Sequence, residues 1–76
     1  MVVYKVITNW DFGNSPRRSS VKLVEENHDS LPDNFADNRS GYYEEYYESR
    51  EAALKTCLAN QREAQRNGDI FTPIGW

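Results

Sequence analysis

Val2, Tyr4, Val6, Thr8, Trp10 and Phe12 interleave with Val3, Lys5, Ile7, Asn9 and Asp11. Alternation of this kind predicts a strand over 2–12. Both sets begin apolar, but the second turns polar, so the first is expected to face the core. Gly13-Asn14-Ser15-Pro16 is dense in turn formers and ends the strand. A second strand is predicted over 19–26, with Val21 and Leu23 inward and Lys22 outward, and a hairpin joins the two. Residues 27–41 read as a long acidic loop, anchored by Leu31 and Phe35. Fifteen structureless residues are long for a small domain, which marks the loop as functional or partly disordered.

The period changes after Gly41. Tyr42-Tyr43-Glu44-Glu45-Tyr46-Tyr47 predicts a third strand. Ser49 suits an N-cap, with Glu51 in the first turn, where the helix dipole favours an acid. Ala53, Leu54, Cys57, Leu58, Gln61 and Ala64 then fall on one helical face, which is expected to be buried. Asn67-Gly68 is a stop signal. A helix beginning near Ser40 and running through the tyrosines competes with this reading. Tyrosine's preference for strands and the capping serine favour the strand. The tail, 69–76, carries Ile70, Phe71, Ile74 and Trp76, and is expected to fold back as an extended segment. The expected fold is α+β: a small antiparallel sheet of about three strands, one C-terminal helix packed across it, and an apolar tail.

At 76 residues the chain makes one domain, 1–76. A chain this short buries only about 60% of its unfolded surface, so stability is expected to be marginal. Cys57 is the single cysteine and His28 the single histidine. Neither an intramolecular disulfide nor a Cys/His zinc set can form. A lone cysteine, no signal-peptide pattern at Met1-Val2-Val3-Tyr4-Lys5 and no long apolar run predict a cytoplasmic protein without a membrane span.

The net charge of −3 conceals an asymmetry. Residues 25–49 hold eight acids (Glu25, Glu26, Asp29, Asp33, Asp37, Glu44, Glu45, Glu48) against Arg39 alone, a net of −7. The remainder holds four acids against eight bases, a net of +4. Acids do solvate loops, but here the tyrosines sit inside the acidic block. That combination points to an interaction surface for a basic partner. In a strand, Tyr42 and Tyr46 share one face with Glu44 and Glu48, while Tyr43 and Tyr47 share the other with Glu45. One pair is expected to stay outside the core, and the sequence leaves open which. The candidate partner-binding set is therefore Tyr42, Tyr43, Glu44, Glu45, Tyr46, Tyr47 and Glu48, with Asp29, Asp33 and Asp37 of the loop.

No catalytic constellation emerges. Adjacent acids at Glu25-Glu26 and Glu44-Glu45 point to opposite faces of their strands, so neither pair converges on one atom. His28-Asp29 has no serine or cysteine placed beside it. Cys57 lies among leucines and reads as a core residue. Asp29, Asp33 and Asp37 recur every four residues but lack the glycine and terminal glutamate of an EF-hand loop. Nothing reads as a phosphate loop, and no cofactor is implied. Ser15-Pro16-Arg17-Arg18 is similar to short Ser-Pro-basic-basic elements of minor-groove binders, which makes Arg17 and Arg18 candidate nucleic-acid contacts. The net negative charge opposes that use.

At the level of class, the chain resembles small phage-encoded inhibitors, including anti-CRISPR proteins. The likeness lies in its size, its lone cysteine and the acidic, tyrosine-bearing run Tyr42 to Glu48. It implies a non-enzymatic inhibitor that offers carboxylates to the basic nucleic-acid groove of a target, in the host cytoplasm if phage-encoded. A homodimer formed through the exposed tyrosines is the first alternative, and a weak nucleic-acid-binding module the second.

Overall fold

The computed structural model describes residues 1–13 and 15–76. Asn14, in the expected turn, lies outside them. The first strand, β1 (Val2–Asn9), pairs antiparallel with β2 (Arg18–Asn27), Val6 opposite Leu23 and Thr8 opposite Val21. This is the expected hairpin. On its other side β1 pairs antiparallel with β4 (Tyr42–Tyr47). The helix α1 (Arg50–Asn67) follows β4.

The fold is α+β, but the sheet has five strands where the sequence suggested three. The loop over 27–41 contains β3 (Phe35–Asp37), paired antiparallel with the outer edge of β4. The tail supplies β5 (Ile70–Ile74), parallel to β2, which makes the sheet mixed. The order is β3-β4-β1-β2-β5, with β1 central. Ile70 N–H donates to the Arg17 carbonyl at 2.8 Å. In a parallel ladder alternate residues face the neighbour, so Ile70, Thr72 and Ile74 address β2 while Phe71 and Pro73 turn their backbone outward. Pro73 thus sits where its missing N–H costs no ladder bond.

The helix starts and stops where its end signals place it. Ser49 is extended (φ −114°, ψ 131°) and its side chain accepts from Ala52 N–H at 3.3 Å. At the other end Gly68 adopts φ 76°, in the left-handed region. Gly68 N–H then reaches the Gln65 carbonyl at 3.2 Å and Asp69 N–H the Ala64 carbonyl at 2.9 Å, a Schellman closure.

α1 covers one face of the sheet. Val6, Val21, Leu23, Ala53 and Cys57 form the core, with Tyr4, Tyr47, Leu54, Phe71 and Trp76 packed around it. The tail closes this side: Trp76 Nε1 donates to the Val21 carbonyl at 2.9 Å and its ring meets Phe71 edge-on. Several expectations need correction. Leu58, assigned to the buried helical face, is 45% exposed. The face that meets the sheet runs through Ala53, Thr56, Cys57, Asn60 and Ala64, about 140° away from Leu58. β1 ends at Asn9, not at Phe12: Asn9 Oδ1 accepts from Asp11 N–H at 3.1 Å, and Asp11 has φ 50°. Phe12 is consequently exposed and Trp10 half-buried. Val2, expected inside, is exposed, while Val3 on the opposite face is fully buried. Leu31 and Phe35 do not anchor the loop; both are exposed.

Candidate functional site

Strand parity decides which tyrosines face out. Val6 stands opposite Glu45 and Thr8 opposite Tyr43, so Tyr43, Glu45 and Tyr47 lie on the helix side. The Tyr47 hydroxyl is 2.6 Å from Thr56 Oγ1 and donates to Glu45 at 2.8 Å, and burial raises its pKa. Tyr42, Glu44 and Tyr46 occupy the opposite face, which no helix covers.

That uncovered face carries a charged and aromatic cluster. Lys5 Nζ lies 3.2 Å from Glu44 and 4.0 Å from Glu26, and 5.5 Å from the Tyr46 ring centre. The Tyr42 hydroxyl donates to Glu44 Oε2 at 2.7 Å. Phe35 meets Tyr42 edge-on at 6.2 Å, and His28 meets Tyr46 at 5.9 Å. His28 Nε2 is also 2.8 Å from Glu26. These contacts shift three groups. The Tyr42 hydrogen bond, opposed by burial and helped by Lys5, holds Glu44 below the usual carboxylate range. Burial pulls the Lys5 ammonium down, but Glu44, Tyr46 and Glu26 outweigh it and leave its pKa raised. Tyr42 is pushed up by its bond to Glu44 and then by burial.

The expected set is therefore divided. Tyr42, Glu44 and Tyr46 come together with Asp37, which stands opposite Tyr42. Tyr43, Glu45 and Tyr47 belong to the helix side. Glu48, Asp29 and Asp33 are exposed outside the strands, and none of the three has a cationic partner among the described residues. Glu44 is not a free carboxylate: Lys5 of the neighbouring strand neutralises it. Lys5, Phe35, Ile7 and Lys22 belong to this face and were not foreseen as part of a site. For Lys5 the signal was present, since it is the cation on the polar set of the first strand.

Arg17 was a candidate nucleic-acid contact and is placed otherwise. Its Nε donates to Asp69 Oδ1 at 3.0 Å, with Asp69 itself 2% exposed. Its guanidinium lies over Phe12 at 5.5 Å and Trp10 at 5.9 Å. With Tyr43, Glu63 and Asn67 these residues line a cleft of about 250 Å³ on the helix side. Gly41 closes its wall: φ is 73°, and a Cβ there would lie 3.1 Å from both Phe12 and Trp10. Arg18, by contrast, is exposed. Cys57 is wholly buried, and burial pushes its thiol pKa up, the reverse of what a nucleophile needs. No group of three or more His, Cys, Asp or Glu suited to a metal ion occurs among the described residues. No described helix is long and apolar enough to cross a membrane.

The fold and this face define an α+β sheet protein with one face covered by the helix and one free of it. Comparison with protein-family models, curated proteins and solved structures finds no match.

Proposed function

We propose that this chain is a non-enzymatic protein-binding inhibitor or modulator that docks the β3–β4 side of its sheet on a basic target surface. One observation carries the reading: Tyr42, Tyr46 and exposed Phe35 lie on the helix-free face with Asp37, and Asp29, Asp33 and Glu48 are exposed in the segments that flank β3 and β4. Aromatic side chains supply rigid contact area, and unpaired carboxylates select arginine-rich surfaces such as nucleic-acid channels. Glu44 has a different part. Held by Lys5 and Tyr42, it fixes the aromatic platform, and the exposed acids make the charged contacts.

The test is affinity for a protein captured by the immobilised chain, measured across salt concentrations. The variant Asp29→Lys with Asp33→Lys should bind at least tenfold more weakly, with a shallower salt dependence. Circular dichroism controls for folding. Unchanged affinity and salt slope in the folded variant would remove these acids from the interface and defeat the proposal.

A further inference from the structure

The cleft on the helix side has walls that are held from behind. Trp10, Phe12, Arg17, Tyr43, Glu63 and Asn67 line it, around a volume of about 250 Å³. The Gly41 carbonyl accepts from Trp10 N–H at 2.9 Å, and Trp10 Cβ and the Phe12 ring pack 3.1 Å from where a Cβ on Gly41 would stand. The Tyr43 hydroxyl donates to Asn38 Oδ1 at 2.9 Å. Arg17 gives Nε alone to Asp69 Oδ1; Asp69 Oδ2 is buried with no partner among the described residues, so the pair is not bidentate. The Nη atoms of Arg17 therefore keep their donors, while the guanidinium is fixed over Phe12 and Trp10. Glu63 brings a carboxylate to the same cleft from the helix. Its Oε2 meets exposed Arg66 at 2.9 Å, and its Oε1 has no hydrogen-bond partner among the described residues.

The lining selects its ligand by chemistry. A carboxylate or phosphate would meet Glu63, and an ammonium or guanidinium would meet Arg17. A neutral planar ring with acceptors on one edge and donors on the next meets neither penalty. Guanine has this arrangement: O6 and N7 accept from arginine as a pair, while N1–H and the N2 amino group donate to a carboxylate. Adenine puts its amino donor beside N7, where the arginine needs an acceptor, and has no ring N–H for the carboxylate. We propose that the cleft binds the base of a free guanine nucleoside, with Arg17 Nη on O6 and N7, Glu63 on N1–H and N2, and Phe12 and Tyr43 against the ring. Phe12 is 46% exposed, so ring surface is open to a base. The cleft is smaller than the roughly 300–1,000 Å³ of sites for drug-sized ligands, which suits one base with its sugar outside. A strand of nucleic acid is the poorer ligand, because the net charge of −3 repels its phosphates. Tyr42 and Tyr46 lie on the other face of the sheet, so the inference stands independently of target docking.

The test is titration of the whole chain with guanosine, followed by proton–nitrogen NMR. The chain has two tryptophans, Trp10 in the cleft and Trp76 bonded to Val21 away from it. The Trp10 indole signal should move and the Trp76 signal should not. Guanosine should bind with a Kd below about 1 mM, and adenosine about tenfold more weakly. Glu63→Gln, a change at a half-exposed side chain, should weaken guanosine about tenfold and leave adenosine unchanged. Arg17→Lys keeps a cation for Asp69 but loses the planar fork, and should erase the preference for guanosine. Should that variant fail to fold, Glu63→Gln carries the test alone. A single-stranded tetranucleotide with one guanine should bind no tighter than guanosine. The Asp29→Lys with Asp33→Lys variant, which probes target docking, should bind guanosine like the parent. A Trp10 signal that stays fixed in guanosine overturns the proposal. So does equal affinity for adenosine, or a Glu63→Gln variant that binds guanosine unchanged. Tighter binding of the tetranucleotide would overturn the free nucleoside as the ligand.

Discussion

Asn60 Nδ2 donates to Thr8 Oγ1 at 2.9 Å, a polar bridge from the middle of the helix to the central strand. Thr8 is 1% exposed, so its hydroxyl depends on partners inside the protein. Thr8→Val keeps the shape and removes the acceptor, leaving the Asn60 amide facing an apolar surface. The loss should be about 1–2 kcal/mol by denaturant unfolding. Thr8→Val combined with Asn60→Leu should cost less than the sum of the two single changes, because the orphaned amide goes as well. Strict additivity would mean that the bridge does not hold in solution.

The two helical leucines should separate sharply. Leu54 packs against the core, and Leu54→Ala should cost about 2–3 kcal/mol, a large fraction of the stability of so small a domain. Leu58→Ala should stay within about 0.5 kcal/mol of the parent, as exposed positions do. Thermal melts of the two variants decide it. Equal losses would rotate the helix from the face described here.

Lys5 and Glu44 should leave a signature in the pH dependence of stability. Glu44 is lowered in the fold, so its contribution is present above the unfolded glutamate pKa of about 4.3 and is lost as pH falls through its folded value. Lys5 is raised, so its contribution is present below about 10.4 and is lost as pH rises through its folded value. Between those limits both are intact. Lys5→Met keeps the stem over Tyr46 and removes the charge. Its melting temperature should lie below the parent's near neutrality and converge with it in acid. Parallel curves at all pH values would mean that the pair adds nothing.

Local signals in this chain were legible and packing signals were not. Ser49 and Gly68 act through their own backbone neighbours, so the helix ends could be read from sequence. The alternation Tyr42 to Tyr47 gave the strand and the two tyrosine sets, but choosing the outward set required the register against Val6 and Thr8. β3 has only three residues in a segment rich in turn formers. It exists because the outer edge of β4 offers partners, and no local propensity records that. β5 was visible only as an apolar tail, because Pro73 weakens its strand signal. Leu58 misled for a related reason. The small residues Ala53, Cys57 and Ala64 let the helix approach the sheet closely, and the larger leucine stays at the margin. The cleft beneath Trp10 and Phe12 depended on Arg17 finding Asp69 across 52 positions of sequence.

Pro73 has a consequence for growth. A sheet propagates sideways when its last strand presents a row of free donors to the next chain. On the β5 margin the outward positions are Phe71 and Pro73, and the second has no donor to present. The β3 margin is three residues long and ends in Asp37. Both outermost strands thus present few free donors, which opposes lateral growth at these two margins even though exposed Ile70 and Ile74 lie along β5.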